Sequence, residues 1–315
     1  MNILLIAGGW SSEREVALSG GRQILVALEK LGHNATFYDP AENLDELPFV
    51  AAGKDFAFIN LHGSPGEDGL IQAMLDQLGI PYQGSGPAGS MLALDKAAAK
   101  GFFRAAGLRT ADWKLLARKP AGIPDLGFSY PLFIKDNTGG STLGMERVPD
   151  AAALPDALDR LFTAHTGAHL VEPEIKGIEI TCGVLGELVD GREVPVALPP
   201  ILIKPKATAS GFFDYASKYS PGGAEELCPA PIPDDMTKTI QNMAVVAHTC
   251  LGLSGYSRAD FLLPEDGKPV ILETNTLPGM TPTSLIPKEA AAIGLSFEAL
   301  IQRLIDLGMA RKRAQ

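Results

Sequence analysis

Residues 258–275, "RADFLLPEDGKPVILETN", restrict the fold more than any other stretch of this chain. Asp266-Gly267 is a two-residue hairpin signal, because both central residues of such a turn take positive φ, and "FLL" and "VIL" flank it as strands. Counting outward pairs Glu265 with Lys268, Pro264 with Pro269, Asp260 with Glu273 and Arg258 with Asn275. With a hydrogen-bonded closing pair, alternation leaves the two prolines in a non-hydrogen-bonded pair, which suits residues lacking an N–H. Period-two geometry then puts Arg258, Asp260, Glu273 and Asn275 on one face. Like charges directly opposite each other are destabilising. A cation between them turns that cost into a binding site, and an Asp, Glu and Asn set of oxygen ligands suits Mg²⁺. A solvated surface ladder is the plainer alternative, but Phe261, Leu263, Ile271 and Leu272 make the strands read as buried.

The remainder of the chain carries a different pattern. "NILLIAGG", a helix near 13–31, "ATFYDP", "FAFINLHG", a helix near 68–78 and "IPYQG" alternate strand and helix, which implies a parallel sheet with functional groups in the loops at its strand ends. The opening "MNILLIAGG" therefore reads as a first strand and not a signal peptide. At 315 residues and 46% hydrophobic, there is room for two or three domains. A net charge of −10 argues against a nucleic-acid surface, and no run approaches the roughly 18 apolar residues of a membrane span. Cys182, Cys228 and Cys250 have no metal spacing, and so sparse and odd a set fits a reducing cytoplasm.

Two glycine-containing turns in the first third are candidate sites, "GGWSSE" and "HGSPGEDG". Ser12 and Glu15 fit a capping box, which leaves Glu13 as the freer carboxylate, either functional or simply complementing the helix dipole. His62 stands at a strand end, as a ligand or as a locally hydrogen-bonded side chain. Beyond a helix at 96–107, "YPLFIKDNTGGSTLGM" gives a strand ending at Lys135 and a Gly-Gly-Ser-Thr loop. Its exposed N–H groups can hold phosphate, although it is not a Walker pattern. "HLVEPEIKGIEITCGVLG" reads as two strands joined at Lys176-Gly177, with Glu172 before the turn and Glu179 after it. The aperiodic stretch "KPKATASGFFDYASKYSPGGAEE" has the length of a lid or binding loop. Finally, Phe297, Leu300, Ile301, Leu304 and Ile305 form a helical stripe after Ser296 as N-cap.

Together these stretches resemble the D-alanine–D-alanine ligase family of the ATP-grasp superfamily over nearly the whole chain. The matching segments are "AGGWSSEREVALSGG", "LHGSPGEDGLIQAMLDQLGIPYQGSG", "LDKAAAK", "YPLFIKDNTGGSTLGM", "EPEIKGIEIT", "FDYASKY", "SRADFLL" and "ILETNTLPGMTPTSLIP". The resemblance implies a mixed α/β and α+β fold in three domains: an N-terminal parallel-sheet α/β domain at 1–95, a central ATP-grasp subdomain at 96–182, and a C-terminal catalytic domain at 183–315 with a lid at 204–224. It implies that ATP phosphorylates the carboxylate of one D-alanine, whose acylphosphate is attacked by the amine of a second, giving a dipeptide for peptidoglycan. A relative taking D-lactate or another amino acid second is the alternative, and Tyr219 favours an amine nucleophile. By the same resemblance Asp260, Glu273 and Asn275 hold two Mg²⁺ ions, or Mn²⁺ in their place, and Arg258 with the Gly279 backbone stabilises the oxyanion. Lys96, Lys135 and Lys218 contact phosphates, Glu172 the adenine and Glu179 the ribose. Glu13, with His62 nearby, receives the first substrate's ammonium group, Ser284 and Leu285 the second substrate's carboxylate, and Tyr219 joins Ser141 and Glu13 in a hydrogen-bonded triad. A homodimer is common in the family. Ala17, Asp136, Gly139 and Pro173 depart from its usual pattern.

Overall fold

The computed structural model describes residues 1–140, 144–205 and 224–314. Its first part comprises β1 (Asn2–Ala7), α1 (Arg14–Lys30), β2 (Asn34–Tyr38), α2 (Leu47–Ala51), β3 (Phe56–Asn60) and α3 (Leu70–Leu78). The three strands form a parallel sheet in the order β2-β1-β3. Ile3, Leu4, Leu5 and Ile6 are fully buried, as an unbroken apolar run in a strand covered on both faces requires. "IPYQG" joins this sheet only by a bridge between Tyr82 and Ala57. Beyond it the Gln83 side chain takes over the role of a strand, accepting the Ile59 N–H at 2.9 Å and donating to the Ile59 carbonyl at 2.5 Å.

Next come α4 (Pro87–Leu94), α5 (Lys96–Ala105), β4 (Lys114–Leu116), β5 (Leu132–Asp136), β6 (Met145–Val148), α6 (Leu154–Ala164) and β7 (His169–Pro173). These strands make an antiparallel sheet ordered β4-β7-β5-β6, and Leu154, Leu158 and Leu161 of α6 enter its core. The chain then builds β8 (Ile178–Val189), β9 (Arg192–Ala197), β10 (Ile201–Pro205), β11 (Ala224–Leu227), α7 (Asp234–Cys250), β12 (Tyr256–Leu263), β13 (Val270–Asn275), α8 (Leu285–Ala292) and α9 (Phe297–Ala314). The third sheet runs β11-β10-β8-β12-β13, with β9 also on β8. The two strands expected around Lys176-Gly177 therefore form, but the turn passes the chain from one sheet to another. Residue 182 lies inside β8, so sheet membership changes between Pro173 and Ile178. Helix α5 contributes Ala99 and Phe103 to the core of the third sheet.

The C-terminal stripe packs back on the N-terminal sheet. Leu300, Ile301, Leu304 and Ile305 are fully buried in the core that holds β1 and β3, each burial contributing about 1.5–3 kcal/mol. Ser296 Oγ accepts the Ala299 N–H at 3.2 Å, the expected cap. The capping box at α1 is not formed. The helix begins at Arg14 with Glu13 as N-cap and no side-chain cap, Glu15 is exposed, and Ser11 Oγ accepts the Glu13 N–H at 3.2 Å. The chain enters α1 through Gly8 and Gly9, both at positive φ, which moves the first helical residue past the position that Ser12 would need.

The hairpin has the expected pairs Asp260–Glu273 and Arg258–Asn275, but reaches them by another route. Of Asp266 and Gly267 only Gly267 takes positive φ, and its N–H donates to the Pro264 carbonyl at 3.0 Å. The turn is therefore one residue longer than a two-residue loop, and near it Leu262 pairs with Val270 and Phe261 with Ile271. A β-bulge between Asp260 and Phe261 leaves Leu272 unpaired and restores the register beyond it. Two one-residue offsets cancel.

Candidate active site

The three sheets converge on one cleft. It is lined by Glu67 from the loop after β3, Lys96 at the head of α5, Gly139 and Gly140 after β5, and Glu273 and Asn275 of β13. Strands β8, β12 and β13 cross it in two rows, Thr181–Asp260–Glu273 and Gly183–Arg258–Asn275. Asp260 collects donors from both. Thr181 Oγ1 donates to Oδ1 at 2.6 Å, Arg258 Nε to Oδ1 at 2.9 Å and Nη2 to Oδ2 at 2.7 Å, and Asn275 Nδ2 to Oδ2 at 3.1 Å. Glu273 keeps 30% of its side chain exposed and has Lys96 Nζ at 3.7 Å. Lys96 also donates to the Gly139 carbonyl at 2.5 Å, and Asn137 Oδ1 accepts the Ala97 N–H at 2.9 Å, so the head of α5 is clasped to the glycine loop.

Among the described residues there is no cluster of three or more His, Cys, Asp or Glu side chains placed to hold a metal. The hairpin offers two facing carboxylates and an amide. Such a partial set of hard oxygen ligands fits an ion that completes its shell with water and phosphate oxygens.

A second cluster lies beneath the glycine loop. Glu172 on β7 faces two ammonium groups, Lys135 Nζ at 2.5 Å from Oε2 and Lys100 Nζ at 2.5 Å from Oε1. Burial opposes ionisation of Glu172, but Lys135 and Lys100 prevail and hold its pKa below the ordinary value. Burial likewise opposes the charge of Lys135, and Glu172 more than offsets it. Lys100 is fully buried, donating also to Thr110 Oγ1 at 2.7 Å and the Ala111 carbonyl at 3.3 Å. Its pKa is lowered by burial, with Glu172 pulling the other way.

The third group is made by loops. Glu13 is buried at the head of α1, and a side chain on Gly140 would come within 3.0 Å of its Oε2. His62 is buried, with Nδ1 at 3.0 Å from the Leu277 carbonyl. That oxygen can only accept, so Nδ1 carries the proton, and Nε2, buried without a hydrogen-bond partner, presents its lone pair. Burial lowers the His62 pKa, which keeps the ring neutral near pH 7. Glu67 Oε2 accepts the Gly63 N–H at 2.8 Å, and burial together with the charge of Glu13 pushes its carboxyl up to about 7. At the head of α8, Ser284 Oγ accepts the Thr281 N–H at 3.0 Å and would meet a side chain on Gly279 at 3.1 Å, with Leu285 the first helical residue.

Comparison with known proteins identifies the family. A family profile described as "D-ala D-ala ligase C-terminus" matches residues 102–306. The D-alanine–D-alanine ligase of Nitratidesulfovibrio vulgaris strain DP4 is 60% identical over 309 residues, covering 98% of each chain. That of Oleidesulfovibrio alaskensis is 56% identical over 310 residues, covering 98% of this chain and 97% of its own. This chain belongs to the D-alanine–D-alanine ligase family. A crystal structure of the Bacillus anthracis D-alanine–D-alanine ligase complexed with ATP superposes with a TM-score of 0.83 at 32% identity, covering 100% of this chain and 99% of that one. The fold is accordingly the three-part ATP-grasp architecture of D-alanine–D-alanine ligases.

Of the positions that the family resemblance singles out, Ser141, Lys218 and Tyr219 lie outside the described residues. Glu179 lies on β8 opposite Leu262, two residues along from Thr181. Two of the departures from the family pattern lie against each other. Asp136 Oδ1 accepts the Thr138 N–H at 2.9 Å, and a side chain on Gly139 would come within 2.8 Å of Asp136 Cβ, so this turn leaves no room for a side chain at 139. Pro173 ends β7 opposite Leu132. Sequence reasoning passed over Lys100, Thr181 and Glu67. Thr181 had a signal, two residues from Glu179 on the same strand face, and so did Lys100, one helical turn beyond Lys96. Glu67 had none beyond membership of the loop.

Proposed function

We propose that this protein joins two D-alanine molecules into D-alanyl-D-alanine, the γ-phosphoryl of ATP passing to the first carboxylate and leaving as phosphate when the second amine attacks, that it supplies a peptidoglycan precursor in the cytoplasm, and that it works as a homodimer. The observation that carries this reading is the 60% identity over 98% of a D-alanine–D-alanine ligase, joined to a cleft that gathers groups from all three sheets.

The division of labour is the one that the family resemblance implies, and the contacts within the cleft support it. Glu172 is held ionised by two lysines and accepts from an exocyclic amine, as adenine has, while Glu179 serves the ribose hydroxyls. Lys135 and Lys96 are cations aimed at phosphates, and Lys96 reaches the carbonyl of the glycine loop that covers them. Asp260, Glu273 and Asn275 would hold Mg²⁺, or Mn²⁺, which neutralises charge on the phosphates during transfer. Glu13 receives the ammonium group of the first D-alanine, and the Nε2 lone pair of His62 is an acceptor in the same corner. Arg258, released from Asp260, stabilises the oxyanion with the Gly279 N–H, donors that act only where charge develops. Ser284 and Leu285, at the N-terminus of α8, take the carboxylate of the second D-alanine. Lys218 over the γ-phosphate, and Tyr219 with Ser141 and Glu13, complete the proposed set.

Phosphate release by the purified protein with ATP and Mg²⁺ tests the reading, with D-alanine, L-alanine, or D-alanine plus D-lactate as substrates and products identified by mass. Dipeptide from D-alanine alone is expected. Preference for D-alanyl-D-lactate at neutral pH would move the protein to the ester-forming relatives, and no release with any substrate would overturn ligase activity.

A further inference from the structure

One fully buried carboxyl has no part in the chemistry above. Glu289 lies in the middle of α8 with no exposed surface. Its Oε1 accepts the Gly183 N–H at 3.0 Å, and its Oε2 is buried without a hydrogen-bond partner. Gly183 is the residue directly opposite Arg258 on the neighbouring strand. Paired residues point to the same face of a sheet, so a side chain at position 183 would stand next to Arg258. None can, because its Cβ would overlap Glu289 Oε2 and Ile286 Cδ1. The Glu289 carboxyl thus fills the place beside Arg258 that the strand itself leaves empty.

The same helix opens at Ser284 and Leu285, and Lys288, the residue before Glu289, is ion-paired to Glu226 of β11. One buried hydrogen bond therefore joins the helix proposed to bind the second substrate to the strand alongside the oxyanion arginine. Burial pushes the Glu289 carboxyl well above the ordinary range. A neutral carboxyl can fix this distance without competing with Asp260 or a substrate for the Arg258 guanidinium, whereas a charged one would draw the arginine aside.

We propose that Glu289 is a positioning residue for the second D-alanine, setting the head of α8 against Arg258 through Gly183. The inference rests on the ligase reading above. It is tested by initial rates over a range of D-alanine concentrations, fitted with separate constants for the two D-alanine sites, alongside the KM for ATP and a thermal melt. Glu289→Ala should raise the KM of the second site about tenfold, as expected for loss of one buried hydrogen bond, and leave the first-site and ATP constants within about twofold. Glu289→Gln, which keeps the shape and neutrality, should stay within about threefold of wild type throughout. Gly183→Ala, which displaces the carboxyl without removing it, should reproduce the second-site defect. An unchanged second-site KM in Glu289→Ala, or a fall in kcat with all three constants rising together in both Glu289→Ala and Gly183→Ala, overturns the proposal. If Glu289→Ala does not fold, Gly183→Ala decides by the same criteria. A wild-type protein that makes no dipeptide overturns the ligase reading and this inference with it, whereas an active wild type with an unaffected second site overturns the inference alone.

Discussion

The two charged clusters of the cleft differ in how their counterions are anchored. Around Glu172 one of the two partners is fixed: Lys100 is fully buried and tied to Thr110 and Ala111 as well as to the carboxylate, while Lys135 keeps 16% of its side chain exposed. Around Asp260 and Glu273 they are exchangeable. Arg258 and Lys96 keep 17% and 10% of their side chains exposed at the cleft, and in the proposed reaction Arg258 leaves Asp260 for the oxyanion and Lys96 turns to phosphate. Recognition of a base calls for a group whose charge and direction do not change, while phosphoryl transfer calls for carboxylates that can give up one cation for another. The difference lies in burial and anchoring more than in residue type, since both clusters are Lys or Arg against Asp or Glu.

Substitutions should separate the two. Lys100→Met breaks a buried pair from its permanent side, and urea unfolding should register a loss of about 3–5 kcal/mol together with a raised KM for ATP. A loss below about 1 kcal/mol would put this cluster in the same exchangeable class as the hairpin. Next in size, Arg258→Ala should lower kcat about 100-fold or more, with little change in the KM for ATP and a melting curve close to wild type. If stability fell as steeply as for Lys100→Met, Arg258 would have to be counted as an anchor. The smallest effect belongs to Glu67, which lies between the two regimes. Its carboxyl is held at about 7 in the folded chain against an ordinary 4.5, so between those values the native state keeps a proton that the unfolded chain has lost. Stability therefore falls as pH rises from about 4.5 to about 7, and Glu67→Gln should remove about 1–2 kcal/mol of that decline in chemical unfolding followed across the range. An unaltered pH profile would make Glu67 an ordinary loop carboxylate.

What was legible in the sequence divides along similar lines. Periodic features were read correctly: the first parallel sheet, the stripe of α9 and the shared face of Asp260 and Glu273 each follow from a repeat of two or about four residues. Local backbone detail was not. The capping box failed because Gly8 and Gly9 set the entry to α1, and "IPYQG" is no strand because the Gln83 amide replaces one. Distant pairings were invisible, since nothing near Lys100 announces Glu172 and nothing near Gly183 announces Glu289. Family resemblance carried the rest of the site, including Ser284 and Glu179, whose roles no spacing reveals.

The paired offsets in the β12–β13 hairpin behave like a frameshift and its suppressor. The longer turn at Gly267 moves the strands out of step and the bulge at Leu272 brings them back, so the pairing of Asp260 with Glu273 depends on both together. A one-residue change at the tip therefore keeps Asp260 opposite Glu273 only if the bulge is gained or lost in the same step. Either change alone would turn Asp260 or Glu273 to the opposite face of the sheet.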